Sequence, residues 1–363
     1  MELALQEAKK GLGRVAPNPM VGAVIIKNNR VIATGYHDHY GGMHAEEMAI
    51  RKAGVKAKGA TLFVTLAPCH HFGKRSPCTK LVVESGIKTV VMSSYDLSKK
   101  SKTLAGLNYL KKHKIKIISG VLEKESQRLN WIYDFNQKYQ KPVVMLKMAT
   151  TLDGKIATST GESKWITGPE ARAKVQELRS QVQAVLVGIN TVLKDDPGLL
   201  VKKADPFHQP LRIVLDSHLK IPLSAKILNS KKAKTLIVTS HKAPDQKINK
   251  IRAKGCAVKV LKTQKGQIDL NDFFKLLKNW NVQSLLIEGG AEVAASFLNS
   301  KKVTHLFWFI APKIMGGQNS KSAVGGPEVF KMNQLIDIKK FSAMTSVGND
   351  LLLIHEYDLG HKN

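Results

Sequence analysis

Residues 41–50, GGMHAEEMAI, and residues 65–78, TLAPCHHFGKRSPC, decide how this chain reads. In the first, His44 opens a run with helical spacing and Glu46 follows two positions later. In the second, the β-rich run TLFVTL (residues 61–66) stops at Ala67-Pro68 and hands over to Cys69. Cys78 then opens CTKLVVESGI, which has the spacing of a helix ending near Gly86. One imidazole and two thiolates are three tetrahedral zinc ligands, with a fourth position left for water.

Zinc lowers the pKa of a water it holds, so that hydroxide is available near neutral pH. Glu46, beside the ligand His44, is placed to carry protons from that water to a leaving amine. This His-x-Glu…Pro-Cys order is the arrangement of zinc deaminases. Singly, each residue has an ordinary explanation: a helix-start histidine, a solvated glutamate, packed thiols. Together, with Pro68-Cys69 directly after a strand, they point to a metal site. His70 and His71 adjoin Cys69 too closely to add ligands and are expected to face substrate or support the site. Nucleic-acid and nucleoside deaminases of this kind usually carry Cys-x-x-Cys. Here residues 70–77 separate the two cysteines, and that longer loop brings Lys74 and Arg75, able to meet a phosphate.

Working outward, the first 120 residues alternate helix and strand. A leading helix over residues 2–12 precedes VGAVIIKNNRVIATG (21–35), two β runs about Asn28-Asn29. KTVVMSS (88–94), LAGLNYLKKHK (104–114) and IKIISG (115–120) read as strand, helix and strand. A long amphipathic stretch over 122–140 leads to Lys141-Pro142, where proline ends the helix and marks a boundary. Behind it the pattern restarts. VVMLKMA, AVLVG, RIVLD, TLIVTS, SLLIEGG and HLFWFIAP read as strands, and GPEARAKVQELRSQV as a helix. DLNDFFKLLKNW is a helix capped by Asp269, and residues 341–357 form a hairpin about Gly348-Asn349-Asp350. The expectation is two α/β domains, residues 1–140 and 141–363.

The 363 residues are 43% hydrophobic, with no apolar run near the ~20 residues of a membrane span. The N-terminus lacks the apolar core of a signal peptide, so a cytoplasmic protein is expected. Three cysteines do not make a disulfide framework, and Cys256 reads as a small buried apolar residue. Fifty-seven basic against 28 acidic residues give a formal charge of +29. That excess concentrates phosphorylated ligands, yet its spread, without aromatic interleaving, does not suggest a nucleic-acid surface.

Residues 16–50, APNPMVGAVIIKNNRVIATGYHDHYGGMHAEEMAI, with PCHHFGKRSPC (68–78), resemble the deaminase domain of the bifunctional riboflavin-biosynthesis family. Residues 147–201, then LLIEGGAEVAASFL (285–298) and IAPKIMGG (310–317), resemble its reductase domain in the same order. The resemblance implies a cytidine-deaminase-like N-terminal domain and a dihydrofolate-reductase-like C-terminal domain. It implies zinc (Zn2+) and NADPH as cofactors and small phosphoribosylated pyrimidines as substrates, with no nucleic acid and no membrane. Members commonly associate, so a homo-oligomer is compatible with it.

Residue by residue, the resemblance makes His44, Cys69 and Cys78 the metal ligands and Glu46 the proton shuttle. Asn18 and His37 match positions near the pyrimidine, and Lys74 one near the phosphate. In the reductase, Lys147, Asp195 and Glu288 match polar positions about the ribose and reacting carbon. Ser163, Arg179, Leu199 and Lys202 match substrate contacts. Ala149, Trp165, Thr191, Asp195, Gly290, Ala291, Glu292, Val293, Ala294, Ala295 and Ser296 match the NADPH side. A strand ending before Gly289-Gly290 and a helix would let backbone amides approach a phosphate.

Three departures stand out. Ala67 replaces a glutamate frequent before Pro-Cys, and Lys202 replaces an arginine, exchanging a fork for a point charge. The family's Asp-Pro-Asn-Pro loop becomes SSYDLSKKSKTLAG (93–106), which keeps only Asp96 and Gly106 and bears on deaminase substrate affinity. Two other readings fit parts of the chain: a nucleoside or nucleic-acid deaminase with an accessory domain, and a reductase whose deaminase half is structural. The first is favoured by charge and opposed by the long cysteine loop. The intact His44, Glu46, Cys69 and Cys78 oppose the second.

Overall fold

The structure, a computed structural model, describes residues 1–72, 76–98, 101–202 and 209–357. The chain divides into two compact units, Met1–Lys141 and Pro142–Asn363.

The first unit runs α1 (Glu2–Lys9), β1 (Gly22–Lys27), β2 (Arg30–Tyr36), α2 (Ala45–Ala53), β3 (Thr61–Leu66), α3 (Cys78–Glu84), β4 (Thr89–Ser94), α4 (Thr103–Lys112), β5 (Lys116–Ile118), α5 (Glu123–Leu129) and α6 (Trp131–Tyr139). Its sheet has the order β2-β1-β3-β4-β5. β1 is antiparallel to β2 and β3, whereas β3, β4 and β5 run parallel. Asn28 and Asn29 both have positive φ (49° and 58°), the left-handed pair that a two-residue hairpin turn requires. The core lies where Ala45, Ala49 and Ala53 of α2 meet Ala23, Ile25, Leu62 and Val64 of the sheet. Small alanines bring α2 close to the strands, which fixes the position of its first turn.

Two elements differ from the sequence expectation. The leading helix stops at Lys9 rather than residue 12. The long amphipathic stretch is two helices broken at Asn130. There the Asn130 amide accepts from the Met20 N–H (2.8 Å) and donates to the Met20 carbonyl (2.9 Å). A side chain pairing with distant backbone in this way competes with the helix ladder.

The second unit begins with β6 (Val143–Thr151), β7 (Lys155–Ala157), α7 (Pro169–Gln181), β8 (Ala184–Gly188), α8 (Ile189–Asp195), β9 (Leu211–Leu215), α9 (Lys226–Asn229), β10 (Thr235–Ser240), α10 (Asp245–Ala253) and β11 (Ala257–Leu261). A ribbon of β12 (Thr263–Gln264) and β13 (Gln267–Ile268) follows, then α11 (Leu270–Asn279), β14 (Ser284–Ile287), α12 (Ala291–Asn299), β15 (His305–Ala311), β16 (Lys321–Ser322), β17 (Ala343–Val347) and β18 (Asp350–Glu356). Nine strands form one sheet, β11-β10-β9-β8-β14-β6-β15-β18-β17. It is parallel from β11 to β15 and closed at that edge by the antiparallel β17–β18 hairpin. Parallel strands are covered on both faces and read as continuous apolar runs, as AVLVG and TLIVTS do. Asp269 caps α11, accepting from the Asn271 and Asp272 N–H groups. Phe273 and Phe297, both fully buried, meet edge to face with centroids 6.2 Å apart; deleting either ring would cost about 3–5 kcal/mol. Arg212 is also fully buried, and its fork donates to the Gly198, Ser230 and Ala233 carbonyls. The run RIVLD gave no sign that its arginine points inward.

His305, buried on β15 with its Nδ1 paired to Thr304 Oγ1 (2.8 Å), is pushed down to about 4 by burial and by His355. Its folded pKa lies below the ordinary 6.5, so the unfolded chain binds the proton more readily. The stability it carries is complete above pH ~6.5 and is lost as pH falls toward 4, by up to about 3 kcal/mol. The urea midpoint of wild type should therefore drop more between pH 7 and 4.5 than that of His305→Gln. Parallel slopes for the two proteins would contradict the assignment.

Candidate active sites

In the first unit three donor atoms converge from two helix starts. His44 is the N-cap of α2 and Cys78 is the first residue of α3. Cys69 lies in the loop leaving β3. That loop is drawn shut by the Thr79 N–H, which donates to the Cys69 carbonyl (3.2 Å), and by His70 Nδ1 paired with Thr79 Oγ1 (2.7 Å). His44 Nδ1 is 3.2 Å from Cys78 Sγ and 3.5 Å from Cys69 Sγ, and all three atoms lie within 4.8 Å of one another. A tetrahedral zinc ion at ordinary bond lengths would hold nitrogen and sulfur about 3.5 Å apart. The donor set and its spacing therefore fit that ion.

Protonation in the metal-free site follows the same geometry. The Cys78 thiol and the His44 ring both donate toward Cys69, which pulls its thiol down to about 4 against burial. Cys78, sharing with Cys69 and fully buried, is pushed up. The hydrogen bond to Cys69 raises His44 to about 9, again against burial. A cation would replace the protons that hold this triad together.

Glu46 sits in the first turn of α2, 4% exposed, and burial pushes its carboxyl up to about 7, with His44 opposing. Asn18 and His37 meet beside the cluster. His37 Nδ1 donates to the Met43 carbonyl (2.8 Å), which leaves Nε2 to accept from Asn18 Nδ2 (3.1 Å). Burial lowers the pKa of His37, consistent with this neutral ring, and its centroid is 5.6 Å from that of His44. Lys74 lies outside the described residues. Ala67 is buried in the apolar core. The altered loop is held by Asp96, whose carboxylate accepts from Tyr133 Oη and the Ser98 N–H, both at 2.8 Å. Burial, then Asp96, pushes nearby Asp134 up to about 7. Tyr133 and Asp134 lay unrecognised within an amphipathic helix pattern.

In the second unit a cavity of about 660 Å³ opens at the carboxyl ends of the parallel strands, where open α/β sheets place ligands. Ser163, Thr191, Asp195, Gly290, Ala291, Glu292, Val293 and Ser296 line it. So do Asn190, Lys194, Ser217, Gln267 and Lys321, which the sequence reading missed. Reading INTVLKD as the helix it forms would have put Asn190 and Lys194 on the face of Thr191.

Other expected residues do not line the cavity. Ala294 and Ala295 are buried, Ala294 within the core cluster, and Leu199 is 4% exposed, so these side chains face protein. Ala149 pairs with Phe309 across β6 and β15. Trp165 is exposed and covered by the Arg172 guanidinium at 4.6 Å. Lys202 is exposed, and its N–H donates to Gln176. Arg179 spends its fork on Glu288, with Nε to Oε1 at 2.5 Å and Nη2 to Oε2 at 2.9 Å. Burial alone would raise the Glu288 carboxyl; Arg179 and Lys147 outweigh it and hold the pKa below the ordinary value. Lys147, partly buried on β6, is pushed down by burial against the pull of Glu288.

The fold and these two sites define a two-unit enzyme, a zinc-deaminase-type α/β unit followed by a reductase-type one. A family model described as the cytidine and deoxycytidylate deaminase zinc-binding region matches residues 1–94. One described as the RibD C-terminal domain matches residues 142–352. The riboflavin biosynthesis protein RibD of Aquifex aeolicus is 42% identical over 357 residues, covering 97% of this chain and 96% of that protein. RibD of Actinobacillus pleuropneumoniae is 39% identical, covering 97% and 93%. Among solved structures, Acinetobacter baumannii RibD aligns with a TM-score of 0.81 at 31% identity, covering 98% of this chain and 97% of that one. A Thermotoga maritima diaminohydroxyphosphoribosylaminopyrimidine deaminase/5-amino-6-(5-phosphoribosylamino)uracil reductase gives 0.81 at 36%, with the same coverage. The chain belongs to the RibD family of riboflavin biosynthesis proteins, bifunctional enzymes with deaminase and reductase activities.

The glycines at the two strand ends are set by Val293. A methyl group on Gly289 would lie 2.5 Å from Val293 Cβ, and one on Gly188 2.6 Å from Val293 Cγ2. Gly188→Ala should lower the stability of the second unit by about 1–3 kcal/mol, and Val293→Ala, which removes the Cγ2 it would strike, should restore most of it in the double variant. Additive losses in urea titrations would show that the contact does not govern the turn.

Proposed function

We propose that the first unit, residues 1–140, removes the ring 2-amino group of 2,5-diamino-6-(5-phosphoribosylamino)pyrimidin-4(3H)-one as ammonia. The second, residues 141–363, then opens and reduces the ribosyl group of 5-amino-6-(5-phosphoribosylamino)uracil to ribityl, using NADPH. The observation that carries this reading is the convergence of His44, Cys69 and Cys78 beside buried Glu46, on a chain whose second unit holds a strand-end cavity.

His44, Cys69 and Cys78 would hold the zinc, which when bound would supply a nucleophilic water at neutral pH. Glu46 would take a proton from the attacking water and pass it to the ring nitrogen, then carry the added hydroxyl's proton to the departing amine, so that ammonia leaves as the ring carbonyl forms. Its burial excludes bulk water from that transfer. Asn18 and His37, locked to each other, present the ring with an amide oxygen and a fixed neutral imidazole. No helix among the described residues is long and apolar enough to cross a membrane. A cytoplasmic location and small phosphorylated substrates, drawn by the +29 charge, complete the proposal.

In the second unit the amide groups at the start of α12 would hold the cofactor's phosphates, and bound NADPH would supply hydride. No side chain caps that helix start, and α12 can approach β8 because a glycine stands at 188, where a methyl would strike Val293. Both features suit a dinucleotide. Ser163 and Asp195 line the same cavity and are positioned to orient the ribosyl group. Glu288, fixed by Arg179 and Lys147, acts as a rigid carboxylate for substrate placement.

Purified wild type and Glu46→Gln should each carry about one zinc per chain, and Cys69→Ala much less. Glu46→Gln should release ammonia at least ~100-fold more slowly, while NADPH oxidation with the already deaminated substrate continues. Retained ammonia release would move the shuttle elsewhere. Undiminished zinc in Cys69→Ala would remove that ligand from the set.

A further inference from the structure

Lys194 on α8 and Lys321 on β16 both line the second unit's cavity. A methyl group built on Gly161 would lie 3.5 Å from Lys194 Nζ and 3.8 Å from Lys321 Nζ, so both ammonium groups reach into one small space over that backbone. Gly161 has φ +95°, and its N–H closes a turn onto the Thr158 carbonyl (2.9 Å). Only glycine adopts this conformation readily, and only glycine leaves the space between the lysines open.

Among the described residues neither lysine has a carboxylate within ion-pair distance. Asp195, which does act on Lys194, is paired with Lys164 at 3.6 Å. The Lys321 ammonium pushes Lys194 below its ordinary value, with Asp195 only partly opposing. Two long, flexible, like-charged side chains gain nothing by meeting in water unless an anion joins them. A phosphate between them would turn that repulsion into two charge-assisted hydrogen bonds.

We infer that Lys194 and Lys321 clasp a phosphate group of a ligand in this cavity, at a second anion position besides the amide-lined start of α12. The phosphate chemistry follows from the two ammonium groups; the identity of the ligand rests on the reductase reading above. Two sources share that chemistry, the monoester of the phosphoribosylated pyrimidine and the phosphates of the dinucleotide. Lys202, expected from the resemblance to hold the substrate phosphate, is exposed and does not line the cavity.

Equilibrium dialysis of the full chain against labelled inorganic pyrophosphate tests the clasp without turnover. Wild type should bind at millimolar concentration or below. The double variant Lys194→Gln/Lys321→Gln should bind at least about tenfold more weakly, and Lys194→Arg/Lys321→Arg should retain most of the affinity. No binding by wild type, or equal binding by wild type and the glutamine pair, overturns the inference. Steady-state kinetics then separate the sources. In the glutamine pair a KM raised about tenfold or more, with kcat nearly kept, is expected for the deaminated substrate if its monoester is held, or for NADPH if the dinucleotide is. Both KM values unchanged within twofold would also overturn it. Lysine-dependent pyrophosphate binding by a chain that turns over neither ligand would leave the clasp standing and defeat the reductase reading.

Discussion

Parallel pairing dictates where this protein gathers its candidate sites. Antiparallel strands can be joined by a tight turn, but a parallel pair forces the chain out over the end of the sheet and back through a crossover. Each strand therefore ends by handing its chain to a loop and a helix, and successive handovers gather along one edge. In the first unit β3 leaves the sheet at Leu66, level with Ser94 of β4, and within three residues reaches Cys69. In the second, β8 ends at Gly188 and β14 at Ile287, and the helices that follow both wall the cavity. The two sites are unlike in chemistry and alike in this origin.

Desolvation then sets the character of the groups collected there. A carboxylate or ammonium taken out of water keeps its charge only beside a partner. Glu46 has His44 beside it and is still pushed upward by burial, with Cys69 adding to the rise. Glu288 has a bidentate guanidinium and stays ionised. Such a buried pair is weak evidence for stability, since removing two charges from water offsets much of their attraction. It is better evidence for position: an arginine engaged through both arms has little freedom, and neither has its carboxylate. Arg179 is thus a residue that fixes Glu288, beside the substrate contact that the family resemblance implies.

The departures from the family pattern have physical replacements nearby. Ala67 places a methyl in the apolar core where a charged side chain would need a partner. The loop that lacks the Asp-Pro-Asn-Pro run keeps Asp96 in use, as an acceptor for Tyr133 and for the Ser98 backbone. Its shape comes from a side-chain anchor in place of proline's fixed φ.

Much of this was legible in the order of residues because short-range physics governs it. The Asn28-Asn29 turn, the Asp269 cap and the apolar runs of the parallel strands each depend on a few consecutive residues. So does the delivery of His44 and Glu46 to the first turn of one helix. The resemblance carried by the motifs added family and chemistry. What only the tertiary structure decided involves partners far apart in the chain. Asn130 breaks a helix because Met20 is beside it, and Arg212 turns inward because three carbonyls await its fork. Arg179 meets Glu288 across 109 positions, and Lys194 meets Lys321 over Gly161. A propensity or a spacing describes neighbours within about two helical turns. Which distant groups share a desolvated space is settled by packing the sheet and its helices, and there a surface-looking lysine or arginine acquires its role.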